Sequence, residues 1–252
     1  MDLQIFGGSG AGSGRKTGGG GTPSGVNYEE FMKMSEDERY DFMEKIINDS
    51  NIVVPNYLDK SITSKVMYGL GMNNKPTVVS DEELDKIKGA DLYRLVYESP
   101  KSSLTSKEIL EQIKFSDYTQ LSDKGGSAYG RAIYFANNFE SARNYGIKQS
   151  NPLIMRVKIK PDAKFVNYNV LEYDTFTDKR LIAIHSRKEI KGPDRIALHA
   201  IANGIDGWRV KDMDGQAMIL NRGVLIASSV NKQIRDKNKK ITETWHDSPH
   251  GQ

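Results

Sequence analysis

Near residue 91 the apolar period of the chain changes, and that change decides which class of fold is open to it. Upstream, Leu58, Ile62, Val66 and Leu70 recur every four residues with Gly71 behind them, the stripe of a helix closing on a glycine. Ser35 with Glu38, and Ser80 with Glu83, have capping-box spacing, and Tyr40, Met43 and Ile47 follow the first pair on one helical face. Pro55 separates these segments, so residues 26–90 predict a set of three or four helices. Downstream the period shortens. Leu153, Met155, Val157 and Ile159 alternate with Ile154, Arg156, Lys158 and Lys160, which predicts a half-buried strand. Further strands are expected over Leu92–Tyr97, Gly130–Ala136, Lys164–Tyr168, Gly207–Val210, Gln216–Asn221 and Val224–Ala227, with a turn at Asp212–Gly215. Thr105 with Glu108 caps a helix carrying Ile109, Leu110 and Ile113; Asn138 caps a short one closing at Gly146; Asp194–Ala202 forms another, stopping at Gly204. The expectation is an α+β fold in which a helical preface sits on about seven mostly antiparallel strands.

The flanks read differently. Ten of the 23 glycines fall in the first 25 residues, and residues 7–25 predict a disordered Gly/Ser tail. No strand precedes that tract and no GK[ST] closes it, so it is not a phosphate-binding loop. Residues 229–252 predict a polar, basic, frayed tail. No apolar run approaches the roughly 18 residues of a membrane span, and MDLQIFGGSG lacks the basic and apolar regions of a secretory leader. The absence of cysteine excludes disulfides, Fe–S clusters and thiol catalysis, and four histidines make a zinc site improbable. The net charge of +3 conceals an asymmetry: residues 1–90 carry 10 Lys/Arg against 14 Asp/Glu, residues 91–252 carry 26 against 19. The basic portion suits a phosphate-bearing ligand or nucleic acid, or is a solvated Lys-rich surface.

Two features bear on chemistry. Arg94 stands in the middle of the apolar strand LYRLVYES, where burial is costly unless something anionic pairs with it or an edge position leaves its head in water. In GGSAYGRAIYFANNFESARNYG a small-residue turn leads into a strand and then an Asn-capped helix, with Tyr145 eleven residues after Tyr134. Glycines ahead of a strand let a ligand approach the backbone, and two tyrosines so placed offer a stacking face and a hydroxyl to a flat ligand. The plain alternative is that both tyrosines pack a core.

The segment YGRAIYFANNFESARNYG resembles the nicotinamide pocket of ADP-ribosyltransferases, especially the poly(ADP-ribose) polymerase branch, with its Gly-rich turn, IYFA strand and second tyrosine. LYRLV is similar to that family's early strand with a central Arg or His, and QAMILNRGVLI to its late strand that opens with the catalytic acid. LIMRVKIKPDAKFV with that late strand resembles a subgroup found in phage head genes of Gram-positive hosts, and MDLQIFGG resembles the start of such virion proteins. The likeness covers residues 28–228 and is most specific in the central segment.

The resemblance implies a split antiparallel β-sandwich over residues 91–228, behind the helical subdomain, with NAD as substrate. It casts Arg94 as the grip on ribose or phosphate, Tyr134 and Tyr145 as the cradle of the nicotinamide ring, and backbone at Leu95–Val96 as the holder of its carboxamide. Gly130 belongs to the turn, and Ser127 takes the part of the strand-opening serine. The departure is at the acid. Gln216 stands where the family carries Glu; it can bond the ribose 2′-hydroxyl but brings no charge, and Asp214 lies two residues earlier. Either Asp214 supplies the charge or activity is weak or absent. The implied function is a phage-encoded mono-ADP-ribosyltransferase modifying a host protein in the host cytoplasm, or carried in the virion beside head proteins. A virion-associated structural protein on a degenerate transferase fold is the alternative. A nucleic-acid acceptor or module ranks behind both, because no base-reading motif is present.

Overall fold

The computed structural model describes residues 22–98, 104–119, 121, 129–145, 150–210, 216–237 and 240–247. Helix starts follow local hydrogen-bond chemistry. Side chains of Asn27, Ser35, Ser80 and Thr105 accept from the backbone N–H three residues on, while Glu30, Glu38, Glu83 and Glu108 bond back. These boxes open α1 (Tyr28–Lys33), α2 (Glu36–Asn48), α4 (Asp81–Lys86) and α5 (Ser106–Phe115). Between them, α3 (Ile62–Gly69) runs to Gly71, whose φ of 62° is the left-handed value a glycine at a helix end supplies. Asn138 caps α6 (Phe139–Asn144). No assignment from sequence covers residues 169–193. They form α7 (Tyr168–Thr177) and α8 (Lys179–Arg187), capped by Asn167 and Asp178, ahead of α9 (Gly192–Ala202).

Nine strands are present among the described residues, against about seven expected. β1 (Thr77–Val79), β2 (Leu92–Glu98), β4 (Ser150–Ile159) and β8 (Leu225–Lys237) form one sheet in the order β1-β8-β4-β2. β9 (Lys240–Asp247) pairs with the far half of β8, so the expected frayed tail is instead a hairpin through Asp247. β3 (Ile133–Phe135), β5 (Phe165–Asn167), β6 (Gly207–Arg209) and β7 (Ala217–Ile219) form the second sheet in the order β3-β7-β6-β5. β1 with β8 and β5 with β6 are parallel; the other pairs are antiparallel. The sheets touch where Tyr93 and Ala136 exchange two N–H···O bonds of 2.8 Å.

Two large apolar cores and one small cluster result among the described residues. Phe31, Tyr40, Met43, Val66 and Leu70 of the early helices share one with Ile184, Ala200, Trp208 and Leu220, so both helical groups pack on the second sheet. Leu92, Val96, Leu110, Phe135, Met155, Ile219 and Leu225 form the other, closed by α5. β4 is not half-buried as its alternation predicts. Ile154 packs with Ala136 and Ala142, and buried Lys158 donates through Nζ to the Ile87 carbonyl at 2.6 Å. No helix among the described residues is long and apolar enough to cross a membrane, and no group of three or more His, Asp or Glu gathers as metal ligands.

Candidate functional site

Arg94 occupies the third position of β2, on the strand face shared with Leu92 and Val96. Its Nη1 donates to the Tyr134 carbonyl at 2.8 Å. Its Nε is shut off from water and has no hydrogen-bond partner among the described residues. Burial pulls the guanidinium down to about 10, and it remains charged at neutral pH. A half-buried cation held, among the described residues, by one neutral carbonyl is expensive in an apolar strand.

Tyr134 contributes its backbone to Arg94 but directs its ring elsewhere. The ring is half-buried at the border of the first core, with neighbours Ile133 and Phe135 in the second. Its hydroxyl donates to the Gly130 carbonyl at 2.8 Å and accepts from the Tyr129 N–H at 3.2 Å, and burial raises its pKa. Gly130 has φ 105°, and a Cβ there would stand 2.7 Å from Trp208 Cζ2 and 2.9 Å from Ile196 Cγ2. On its Cβ side this glycine is approached closely by Trp208 and Ile196.

Tyr145 closes α6 and is 65% exposed, with an open ring. Gln216 Nε2 donates to its hydroxyl at 2.7 Å. The β3–β7 register sets Phe135 opposite Ala217, which puts Gln216 beside Ala136, the residue bridged to Tyr93. Arg94 with Tyr134, and Gln216 with Tyr145, thus form two contacting pairs linked through Ala136 at the meeting of the sheets. Leu95 lies half-buried next to Tyr93 over Ala136, Ala142 and Ile154. Ser127 and Asp214 lie outside the described residues.

Sequence reasoning missed Arg131, which rivets the approach to β3. Its backbone N–H donates to the Pro193 carbonyl at 3.1 Å. Its guanidinium lies 3.6 Å from Asp194 and 3.9 Å from Asp59. Asp194 accepts from Thr63 N–H and Oγ1, and Asp59 from Ser64 Oγ and the N–H of Ser61. Trp208 Nε1 adds a 2.7 Å bond to the Tyr129 carbonyl. An arginine at the mouth of a buried strand is a sequence signal, but its acids come from α9 and from the loop before α3. Together these contacts fix the Tyr129–Ala132 segment, and with it the Tyr134 carbonyl that receives Arg94.

Comparison with known proteins names nothing. No family model matches the chain, and neither the curated proteins nor the solved structures contain a match.

Proposed function

We propose that the chain is an NAD-dependent mono-ADP-ribosyltransferase of phage type that modifies a host protein. The observation that carries this reading is the state of Arg94: a half-buried, charged guanidinium with one neutral partner among the described residues and a buried, unpartnered Nε, beside the Gln216–Tyr145 pair. Such a group fits an anionic or oxygen-rich ligand, and the diphosphate and riboses of NAD are both. The arrangement of two sheets meeting at one bridge also supports a split-sandwich reading.

The roles follow from chemistry. Arg94 offers Nε to phosphate or ribose oxygen and holds the dinucleotide bent. Tyr145 offers an exposed ring to stack on nicotinamide, with Leu95 and Val96 backbone near the carboxamide. Tyr134, its hydroxyl already bonded, acts through its carbonyl on Arg94 and through the edge of its ring. The C1′–N bond breaks with its electron pair leaving on nicotinamide, which departs neutral. The acceptor's nucleophile then bonds C1′ and gives up a proton. Cation character on the sugar calls for a nearby carboxylate. Gln216 can orient the 2′-hydroxyl, leaving Asp214 to carry the charge. Gln216, uncharged and bonded to Tyr145, equally favours a second reading, a virion-associated protein on a transferase fold that has lost its acid.

Labelled NAD incubated with the protein and host lysate separates the two. If Asp214 is the acid, Asp214→Asn abolishes labelling and Gln216→Glu gains nothing, because two adjacent carboxylates raise one pKa. If the fold is degenerate, wild type is silent and Gln216→Glu restores turnover by about 10²–10³. Basal activity untouched by both changes removes the late strand from the site.

A further inference from the structure

Away from the sheet junction, α5, β4 and β8 enclose a groove of about 360 Å³ lined almost wholly by polar side chains. That volume lies within the roughly 300–1,000 Å³ usual for small-molecule sites; Leu153 is the one apolar residue type in the lining, and the aliphatic stems of the polar side chains supply further apolar surface. Behind it sits Lys114, 1% exposed, whose Nζ donates to Asn231 Oδ1 at 2.8 Å and to the Ser229 carbonyl at 3.4 Å. Neither partner is a carboxylate. A lysine can only donate, so it fixes the Asn231 amide with oxygen inward, and Nδ2, on the other arm, is left for the groove. At the rim, Asn151 Nδ2 donates to Glu98 Oε2 at 2.8 Å, which leaves Oε1 for another donor. Asn151 itself has φ 45°, the one left-handed non-glycine residue among those described. Lys107 and Glu111 complete the charged lining.

We propose that this groove binds a small zwitterion of amino-acid or dipeptide size, with its carboxylate on the Asn231 side and its ammonium on the Glu98 side. Glu98 stands at one end and the Asn231 amide, backed by the recessed Lys114, at the other, so a ligand carrying a single charge leaves one end of the groove unmatched. An anionic head bonded to Asn231 Nδ2 also compensates the buried ammonium behind it. Burial already pulls Lys114 down to about 8 against the opposing pull of Glu111 and Asp81, so a bound carboxylate should draw a proton onto it.

Calorimetric titration of the full chain with glycylglycine, with acetate and methylammonium as half-ligands, tests this. Saturable binding of the dipeptide is expected, tighter than either half-ligand. Near pH 8 it should carry uptake of up to about half a proton, fading by pH 6.5. Glu98→Gln, a rim change that spares the core, should weaken binding roughly tenfold or more through loss of a charge-assisted bond. Acetate binding as tightly as glycylglycine, an unaffected Glu98→Gln variant, or no heat of binding overturns the assignment. Lys114→Arg, which keeps the buried charge, should retain binding while shifting the proton uptake out of this pH range; unchanged uptake removes Lys114 from the site.

Discussion

Arg222, buried, and Arg94, half-buried, form no ion pair with a carboxylate among the described residues, and desolvation pulls both down to about 10. Their surroundings differ. Arg222 spends Nη1 on the Gln112 and Ile113 carbonyls at 3.1 and 2.8 Å, and Nη2 on those of Ser116 and Asp117 at 2.8 and 2.7 Å. It closes the C-terminus of α5, where exposed carbonyls and the helix dipole both favour a cation. Among the described residues Arg94 has a single carbonyl and a buried Nε with no partner. The first arginine is consumed by the fold. The second, under the proposed function, is kept for a ligand.

The largest effect should come from breaking the saturated member. Arg222→Met strands four carbonyls at the end of α5 and should cost about 3 kcal/mol or more in urea denaturation. A loss below about 1 kcal/mol would mean that those carbonyls reach water and that the contrast with Arg94 is weaker than argued.

A second contrast sets the junction against the buried network of Tyr40, Asp178 and His199 between α2, α8 and α9. Tyr40 Oη donates to Asp178 Oδ2 at 2.6 Å and lies 2.9 Å from His199 Nδ1. Since that hydroxyl proton goes to Asp178, Nδ1 carries the hydrogen and neutral Nε2 faces Asn203 Nδ2 at 3.4 Å. Burial lowers the His199 pKa below 6.5 despite the pull of Asp178. Burial would raise Asp178, but bonds from Tyr40 and Arg180 lower it below 3.8. Both depressed groups have one sign: below pH 6.5 the unfolded chain binds protons that the folded chain refuses, and stability falls with acidification. Urea midpoints should therefore decline from pH 7 to 5, and His199→Gln should flatten that slope. An unchanged slope in the variant would put the proton uptake elsewhere.

The smallest effect belongs to Tyr145. Tyr145→Ala should weaken nicotinamide binding by about 0.5–1.5 kcal/mol, the worth of a stacked ring. Tyr145→Phe loses only the bond from Gln216, so nicotinamide titration should find it close to wild type. Equal damage from both would give the hydroxyl the leading role.

What the sequence disclosed was mostly local. The boxes at Ser35–Glu38, Ser80–Glu83 and Thr105–Glu108 are hydrogen bonds within one turn, and their residue types suffice to announce them. α7 was silent because its buried stripe, Tyr168, Leu171 and Thr175, mixes aromatic, aliphatic and hydroxyl side chains; Thr175 Oγ1 turns back onto the Leu171 carbonyl at 2.6 Å. The alternation of β4 misled because Lys158 and Ile154, on its nominally wet face, are covered by the α4–β2 connection and by α6. At the site, Arg94, Tyr145 and Gln216 could be named from pattern and resemblance. That Gly130 is shaped by Trp208, and that Tyr134 serves through its carbonyl, depend on partners distant in the chain.

The central claim is that Arg94 is retained for a ligand. Calorimetric NAD titration of wild type and Arg94→Met, with a urea curve for each, tests it most directly. An apolar side chain in place of a poorly partnered half-buried cation should leave stability within about 1 kcal/mol. NAD affinity should fall about 10- to 150-fold, the loss of roughly 1.5–3 kcal/mol of charge-assisted contact. Equal NAD affinity in the two proteins, or a wild type that binds no NAD, would contradict the account.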